Sequence, residues 1–311
     1  MKLGVAFGWH SFAWEDLAAL VERAEELGYA AAYVDGDVSM LGVRREADVL
    51  DGWTVTTALI ARTRHIPIGS LRLVEHWNAA RLAQVAATLE RIAPGRLRFF
   101  TSIGDRREDH RFGYPRMRAA ERIARLDETL TAARALWRGE GVTLDGVHVQ
   151  LDDARVRPVP GGGRIPIEIA AKGARLLGVV ARHADVWNVN LPPIPDRYAQ
   201  AVAHLEAACA SCGRDPQGIA RSMWIFTRVG DGSEPQAALS EYRRLNPWFA
   251  DLPDAEIAPA LVVGSAAHCR ERLMALARDL DLDLPVIDLS GMDAAAARHT
   301  LEAIPAGAPS R

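Results

Sequence analysis

The spacing of apolar residues along this chain switches repeatedly between short continuous runs and a period near 3.6. Residues 3–8 form a compact apolar run, and from Trp14 onward apolar residues recur three and four positions apart until Gly28. The first pattern is typical of a buried strand and the second of an amphipathic helix. The chain therefore begins with a predicted strand followed by a predicted helix.

This pairing of strand and helix recurs at a steady interval. Predicted strands cover residues 3–8, 31–35, 66–71, 97–103, 165–171, 185–189, 223–229 and 285–289. Predicted helices cover residues 14–28, 51–63, 79–92, 119–137, 237–245 and 265–280, and two more follow Gly173 and the proline-rich loop after Asn190.

Two segments depart from the alternation. Residues 142–151 alternate about Asp145-Gly146, which predicts a hairpin with a two-residue turn. Residues 231–262 contain one short helical segment and no clean strand, so we interpret the rest of that segment as irregular.

Eight strands that alternate with helices predict a parallel sheet with helical crossovers. The count of eight favours a closed (β/α)8 TIM barrel over an open doubly wound sheet, with insertions at the C-terminal face of the strands. We expect residues 1–311 to form a single α/β domain, because barrels of this kind often exceed 200 residues.

Composition narrows the classes of function. The chain has 37 basic and 40 acidic residues, a formal net charge of −3, and no basic cluster interleaved with aromatics, which argues against a nucleic-acid partner. No apolar run approaches the length of a membrane span, and the N-terminus reads as a first strand rather than a signal peptide. Three cysteines, an odd number, indicate a reducing compartment, so we expect a cytoplasmic protein.

In a (β/α)8 barrel the chemistry lies at the C-terminal ends of the strands. That geometry alone nominates the polar or aromatic residues after each predicted strand. They are Trp9, His10, Asp37, Ser70, Arg72, Ser102, Asp105, Lys172, Asn188, Asn190 and Arg228.

The turn after the fifth strand is a candidate anion site. Gly173 opens the following helix, and bare backbone N–H groups at a helix N-terminus attract phosphate. Lys172 lies beside it, and Lys2 is the only other lysine among the 37 basic residues. A lysine kept at this turn suggests that a compact charge is needed there, although a single position could also be chance.

Several segments together resemble the bacterial luciferase-like monooxygenase superfamily, whose members use FMN or the deazaflavin F420 on a (β/α)8 barrel. The matching segments follow the family order. They are LGYAAAYVDGD (27–37), DGWTVTTALIARTRHIPIGS (51–70), RLAQVAATLERIAPGRLRFFTSIGD (81–105), FGYP (112–115), RLDETLTAARALWRGE (125–140), ARHADVWNVN (181–190) and GSAAHCRERL (264–273).

The resemblance implies a cofactor site and a homodimer. It implies that the turn after strand five binds the cofactor phosphate, and that a strained, possibly cis, peptide near Ser70-Leu71 lies under the cofactor ring, with Ser102 at the next strand end. The residues implied at the phosphate turn are Ala170, Ala171, Lys172, Gly173 and Ala174. Many members have Asp-His after strand two, where this chain has Gly36-Asp37, so the role of that His does not transfer directly.

Three residues are candidates for moving the substrate proton. Asp105 ends the fourth strand segment and is the first choice for a general acid, with His10 and Asp37 behind it. Each also has a structural interpretation, because an Asp after a strand often caps a turn. Cys209 and Cys212 form a C-x-x-C at a helix end, without a second pair, so we predict no metal site.

We therefore predict a flavin-type oxidoreductase of the luciferase-like superfamily, most simply one that transfers a hydride between F420 and a small organic substrate. The preference for F420 rests on the resemblance of residues 170–177 and 181–190 to F420-dependent members. An FMNH2-dependent monooxygenase is the alternative, and a barrel that binds a flavin without turnover is a second one. The substrate is set by loops whose conformation the sequence does not fix.

Overall fold

The computed structural model describes residues 2–8, 12–36, 49–104, 109–230 and 235–306. The described residues contain twelve strands: β1 (Gly4–Phe7), β2 (Ala31–Val34), β3 (Ile68–Ser70), β4 (Arg72–Leu73), β5 (Leu97–Ser102), β6 (Val142–Asp145), β7 (Gln150–Ala154), β8 (Ile167–Ala171), β9 (Val186–Val189), β10 (Ala220–Val229), β11 (Val262–Gly264) and β12 (Leu284–Asp288).

Helices follow most of the strands. They are α1 (Trp14–Glu26), α2 (Gly52–Arg62), α3 (Ala79–Ile92), α4 (Ala119–Trp137), α5 (Ala174–His183), α6 (Pro195–Cys212), α7 (Pro235–Leu245), α8 (Asp254–Ile257), α9 (Ala266–Asp279) and α10 (Ala294–Ala303). Short 3-10 turns include Val74–His76, Asp109–Phe112 and Pro247–Phe249. None of the described helices is both long and apolar enough to cross a membrane.

Eight parallel strands close into a ring, so the predicted (β/α)8 barrel is confirmed. Their order around the ring is β1, β2, β3, β5, β8, β9, β10 and β12, which is also their order along the chain. Two pairings close the ring: β10 pairs with β9 through Ala220 and Val186, and β12 returns to β1 through Val286 and Gly4. All eight strand C-termini therefore open at one end of the barrel, which we call the mouth.

The helices form where the sequence supplies both an apolar face and a cap. Ser265 caps α9 as predicted, because its hydroxyl accepts a hydrogen bond from the His268 backbone N–H. Asp51 caps α2 in the same way through the Thr54 N–H at 2.8 Å. Such caps begin the helices at defined residues, so that their apolar faces cover the outside of the ring.

The hairpin forms, but its turn lies two residues beyond the predicted position at Asp145-Gly146. Asp145 pairs with Gln150, and the Gly146 N–H donates to the Val149 carbonyl at 3.0 Å, so Val147 and His148 form the turn of the hairpin loop. The carboxylate of Glu128 on α4 accepts hydrogen bonds from three consecutive backbone N–H groups of that loop, the shortest at 2.7 Å. A contact from a distant helix therefore sets the loop, and the local sequence does not reveal it.

Three elements near the C-terminus were missed: α8, β11 and α10. α8 lies within residues 231–262, which were interpreted as irregular, and β11 begins at the last residue of that segment, where Val262 pairs with Thr227 of β10. This strand has three residues, which is too short for an alternating pattern. The alanine-rich helix α10 follows the last predicted strand and is capped by Asp293.

A charged network fills part of the barrel interior. Glu168 on β8 is 2% exposed, and its carboxylate accepts two hydrogen bonds from the Arg98 guanidinium at 2.6 and 2.8 Å. The Tyr33 hydroxyl donates to the same carboxylate at 2.9 Å and the Ser222 hydroxyl at 2.6 Å. Burial is the largest single effect on the pKa of Arg98 and lowers it, but the charges and hydrogen bonds of Glu168 and Tyr33 together outweigh burial and leave that pKa raised.

We expect Glu168→Gln to lower the free energy of unfolding by about 3–5 kcal/mol, because it leaves the Arg98 guanidinium buried without its counter-charge. Urea unfolding followed by circular dichroism measures the change. The control is Glu121→Gln, which breaks an exposed ion pair with Arg118 and should change stability little. Equal loss in the two variants would contradict this role of the buried pair.

Candidate active site

The structure places the predicted binding residues around one side of the mouth. Ser70 and Leu71 lie at the end of the third barrel strand, and Ser102 ends the fourth. Ala170 and Ala171 end the fifth strand, and Lys172, Gly173 and Ala174 lead from it into α5. The predicted acid–base candidates His10, Asp37 and Asp105 lie outside the described residues and stay predictions.

The N-terminus of α5 is open. Gly173 is its N-cap residue, with φ −102° and ψ 148°, and within the part of the chain that the structure describes this helix has no side-chain cap. A Cβ built on Gly173 meets no atom within 4 Å, and Lys172 through Arg175 are exposed. The first backbone N–H groups of any helix lack acceptors within it, so this end can bind an anion.

Lys172 supplies a positive charge at that helix end. Its Nζ lies 4.7 Å from the centre of the Phe249 ring, a cation–π distance. Phe249 belongs to residues 235–264, which we call the capping segment because they lie over the strand ends of β8 and β10. An aromatic face limits the range of the Lys172 side chain and favours its charged form.

The serine and alanine candidates take part in hydrogen bonds to backbone carbonyl groups around the mouth. The Ser102 hydroxyl donates to the Ala170 carbonyl at 2.9 Å and joins the fourth and fifth barrel strands. The Ala171 carbonyl accepts a hydrogen bond from the Trp187 indole at 3.0 Å. The Ser70 hydroxyl donates to the Gly52 carbonyl at 3.3 Å. These residues therefore hold the strand ends in position.

The third barrel strand is interrupted at Leu71, where the family resemblance implies a strained peptide, and the Ser70–Leu71 bond is not cis. Among the described residues the cis peptide bond is Arg157–Pro158. The register against β5 is the same on both sides of the break, with Gly69 opposite Arg98 and Arg72 opposite Thr101. The strand therefore continues after the break without an inserted residue.

The Leu71 carbonyl explains the departure from the family pattern after strand two. A Cβ built on Gly36 would lie 1.5 Å from the Leu71 carbonyl oxygen. No side chain fits at that distance, so the Asp of the usual Asp-His pair has no space here. Gly36 is thus a steric consequence of the path of the chain at Leu71.

Two nominated residues have mainly structural contacts. Arg228 donates to the carbonyls of Asp288 and Ser290 and forms an ion pair with Glu241 of α7 at 2.9 Å. The Arg228 side chain therefore connects the capping segment to the ends of β10 and β12. Asn188 donates to the Ser222 hydroxyl at 3.0 Å and extends the interior network.

Asp288 is a mouth residue that the sequence interpretation missed. It ends the eighth barrel strand and is 8% exposed, and its carboxylate accepts hydrogen bonds from the Ser290 N–H and hydroxyl. Polar residues at the C-terminal ends of barrel strands are candidates for function, and Asp288 has this position in the eighth strand. Its place in the sequence is therefore the signal that identifies it. Burial raises the pKa of Asp288, against the opposing effects of Ser290 and Arg228.

Aromatic rings line the barrel below the mouth. Trp224 lies 5.7 Å from the Tyr33 ring and 5.8 Å from the Phe100 ring. A Cβ on Gly8 would lie 3.5 Å from the Trp224 ring and 2.6 Å from the Ser290 hydroxyl oxygen, so glycine keeps this space open. Tyr33 and Phe100 are buried in this layer, and Trp224 is the partly exposed ring of the three, so it is the one that a flat ring system in the mouth could contact.

These features define a class of protein: a (β/α)8 barrel with an aromatic interior and an open helix end, beside a lysine, at the exit of its fifth strand. That arrangement suits a phosphorylated ligand with a ring system. The chain belongs to the luciferase-like monooxygenase family, whose model matches residues 1–250.

Two curated relatives share part of the sequence. The chain is 29% identical over 253 residues to the F420-dependent glucose-6-phosphate dehydrogenase of Mycolicibacterium smegmatis, across 78% of this chain and 73% of that protein. It is 32% identical over 191 residues to the phthiodiolone/phenolphthiodiolone dimycocerosates ketoreductase of Mycobacterium sp. (strain JLS), across 58% of this chain. That match spans about half of the relative, 49% of its length.

A solved structure agrees in fold over the whole chain. An F420-dependent secondary alcohol dehydrogenase in complex with an F420-acetone adduct superimposes with a TM-score of 0.82 at 18% identity. The superposition covers 98% of this chain and 99% of that one. At this identity the likeness supports the barrel architecture.

We expect the free energy of unfolding of the Asp288→Asn variant, minus that of the natural protein, to increase as the pH rises. A carboxyl whose pKa is raised above 3.8 keeps a proton in the folded state that the unfolded chain releases, so folding stability falls with pH between the two pKa values. Asn keeps an acceptor for Ser290 and does not titrate. Each tenfold change in proton affinity corresponds to about 1.4 kcal/mol.

The measurement is the urea-unfolding free energy of both proteins between pH 4 and 8. Arg228, Glu241 and Tyr242 also face Asp288, and they are the same in both proteins. A difference that stays constant across this range would show that Asp288 ionises as freely in the folded chain as in the unfolded one.

Proposed function

We propose that this protein is a flavin-type oxidoreductase that transfers a hydride between coenzyme F420 and a small organic substrate. The observation that carries the proposal is the uncapped N-terminus of α5 with Lys172 beside it, at the exit of the fifth barrel strand. Family membership and the F420-dependent relative support the same interpretation.

The chain's own residues fit such a cofactor. The first N–H groups of α5 and the Lys172 ammonium would bind its phosphate, since both favour negative charge. Trp224, which packs on the buried rings of Tyr33 and Phe100, would give the cofactor ring an apolar floor. F420, when bound, supplies a two-electron hydride donor or acceptor.

Hydride transfer to or from a carbon–oxygen bond needs one group that gives or takes a proton at the oxygen. We propose Asp105 for that role, with His10 and Asp37 as the next candidates. All three follow strand ends at the mouth by sequence, and an acid in a partly desolvated mouth tends to have a raised pKa. Asp288 is a further acid at the same end of the barrel.

The alternative is an FMNH2-dependent monooxygenase, which the description of the family favours. The apolar residues of the mouth would then exclude water from the bound flavin, which would supply the activation of molecular oxygen. A flavin-binding barrel without turnover is the third possibility, and Gly36-Asp37 in place of Asp-His is consistent with it.

Tight F420 binding without FMN binding supports hydride transfer, whereas substrate-dependent oxygen uptake with reduced FMN supports the monooxygenase.

We further propose that residues 1–311 act as one domain, and that the protein works as a homodimer in the cytoplasm. The three cysteines of the chain, Cys209, Cys212 and Cys269, are all free thiols, which is consistent with a reducing compartment. Light scattering of the purified protein measures the oligomeric state, and a monomer at working concentration would contradict the dimer.

We expect Lys172→Ala to weaken F420 binding by about tenfold, because it removes a charge-assisted contact to the phosphate. The quenching of F420 fluorescence measures the dissociation constant. Lys2→Ala is the matched control, since Lys2 is exposed and is the chain's other lysine. If both variants bound F420 as the natural protein does, the phosphate assignment would be wrong.

We expect Gly173→Asp to stabilise the protein and weaken F420 binding at the same time. The N-cap backbone angles suit Asp, its side chain has open space, and its carboxylate would cap α5 for about 0.5 kcal/mol. The same carboxylate would occupy the phosphate position. Gly173→Asn is the uncharged control and should weaken binding less. A more stable Asp variant with unchanged affinity would place the phosphate elsewhere.

A further inference from the structure

Three aromatic rings connect the seventh barrel strand to the turn after the fifth. The Phe226 ring of β10 lies edge to face with the Tyr242 ring, with 5.6 Å between ring centres, and the Tyr242 ring is stacked 6.4 Å from the Phe249 ring. The Lys172 Nζ lies 4.7 Å from the centre of the Phe249 ring. We call Phe226, Tyr242 and Phe249 the aromatic bridge, because they form a continuous path from β10 to Lys172.

The aromatic bridge is buried and anchored at both ends. Its three side chains are 3%, 5% and 6% exposed. The guanidinium carbon of Arg228 lies 3.9 Å from the centre of the Phe226 ring, and the same side chain pairs with Glu241 of α7 at 2.9 Å. Arg243 donates to the Phe249 carbonyl at 2.7 Å. The Phe249 ring therefore presents a fixed surface to Lys172.

Lys172 is the part of this contact that has conformational freedom. The residue is exposed, and a lysine side chain loses much rotamer entropy when it becomes ordered. That loss opposes the binding of an anion unless the side chain is already ordered before binding. The face of an aromatic ring attracts an ammonium group, so the fixed Phe249 ring reduces the number of conformations that the Lys172 ammonium occupies.

We propose that Phe249 is a positioning residue that orders the Lys172 side chain beside the open N-terminus of α5 before the cofactor binds. This inference rests on the proposed function. Lys172 directly precedes Gly173, the N-cap residue of α5, so the ordered ammonium and the first backbone N–H groups of the helix act on the same anion. Phe249 acts through Lys172 and does not itself contact the phosphate.

The first test observes Lys172 without any cofactor. The chain contains two lysines, Lys2 and Lys172, so protein made with isotope-labelled lysine gives two sets of side-chain NMR signals. The ring current of Phe249 should shift the Lys172 Hε signals upfield of those of Lys2, and Phe249→Leu should bring them to the Lys2 position. Lys2 is exposed and is the internal reference in every spectrum. Inorganic phosphate, added at constant ionic strength, should move the Lys172 signals and leave those of Lys2 in place.

The second test measures the dissociation constants of F420 and of FO, its deazaflavin fragment without phosphate, by fluorescence titration. A residue that acts through Lys172 changes only the phosphate-dependent part of binding, which is the ratio of the two constants. We expect Phe249→Leu to reduce the advantage of F420 over FO by about threefold, the effect of one exposed cation–π contact, and to leave FO binding unchanged. Phe249→Tyr keeps the ring face and should bind both ligands as the natural protein does.

Two further variants separate positioning from a general loss of structure. In the Lys172→Ala background, Phe249→Leu should have no additional effect, because the side chain through which it acts is gone. Ile257→Val is the matched control, since Ile257 is buried in the same apolar cluster of the capping segment and the change leaves the aromatic bridge intact. It should change neither dissociation constant.

Three outcomes would overturn the positioning role. One is a natural protein whose Lys172 signals coincide with those of Lys2, which needs no variant and no cofactor. Another is an unchanged or increased advantage of F420 over FO in a Phe249→Leu variant that circular dichroism shows to be folded. The third is an equal effect of Phe249→Leu with and without Lys172. Failure of the natural protein to bind F420, with the Lys172 signals shifted as expected, would instead contradict the proposed function, so the two failures are distinguishable.

Discussion

Closure of the eight-stranded ring is the constraint on which the rest of the structure depends. Pairing of β9 with β10 and of β12 with β1 leaves no open edge, and it brings every strand C-terminus to one mouth. Residues as distant in sequence as Gly8, Ser102 and Asp288 therefore lie at the same end of the barrel. An open sheet would spread these positions along its length.

Closure also creates an interior that must be filled without leaving polar groups unpaired. The chain fills it with aromatic rings and with the Glu168–Arg98 pair, whose remaining hydrogen bonds come from Tyr33 and Ser222. Above this layer the interactions change in character. The open end of α5 offers backbone donors and Lys172 adds a cation, and together they make one side of the mouth suited to an anionic ligand.

Much of this could be predicted from the sequence because it is local. Apolar periodicity identified the eight barrel strands, and the Lys172-Gly173 turn was found from one strand–helix junction. What the sequence did not reveal depends on contacts across the fold: the loop held by Glu128, the buried partners of Glu168 and the close approach of the Leu71 carbonyl that requires Gly36. Asp288 is a different case, because its position at the end of the eighth predicted strand is visible in the sequence and is enough to nominate it. His10, Asp37 and Asp105 stay predictions.

The central claim is that the first turn of α5 binds the phosphate of a deazaflavin cofactor. Hydrogen–deuterium exchange of the backbone amides of residues 174–176, with and without saturating F420, tests it most directly, with FO as the phosphate-free control. The account predicts that F420 slows exchange at these amides and that FO leaves them unchanged. Saturation with F420 without any slowing at this turn would contradict it.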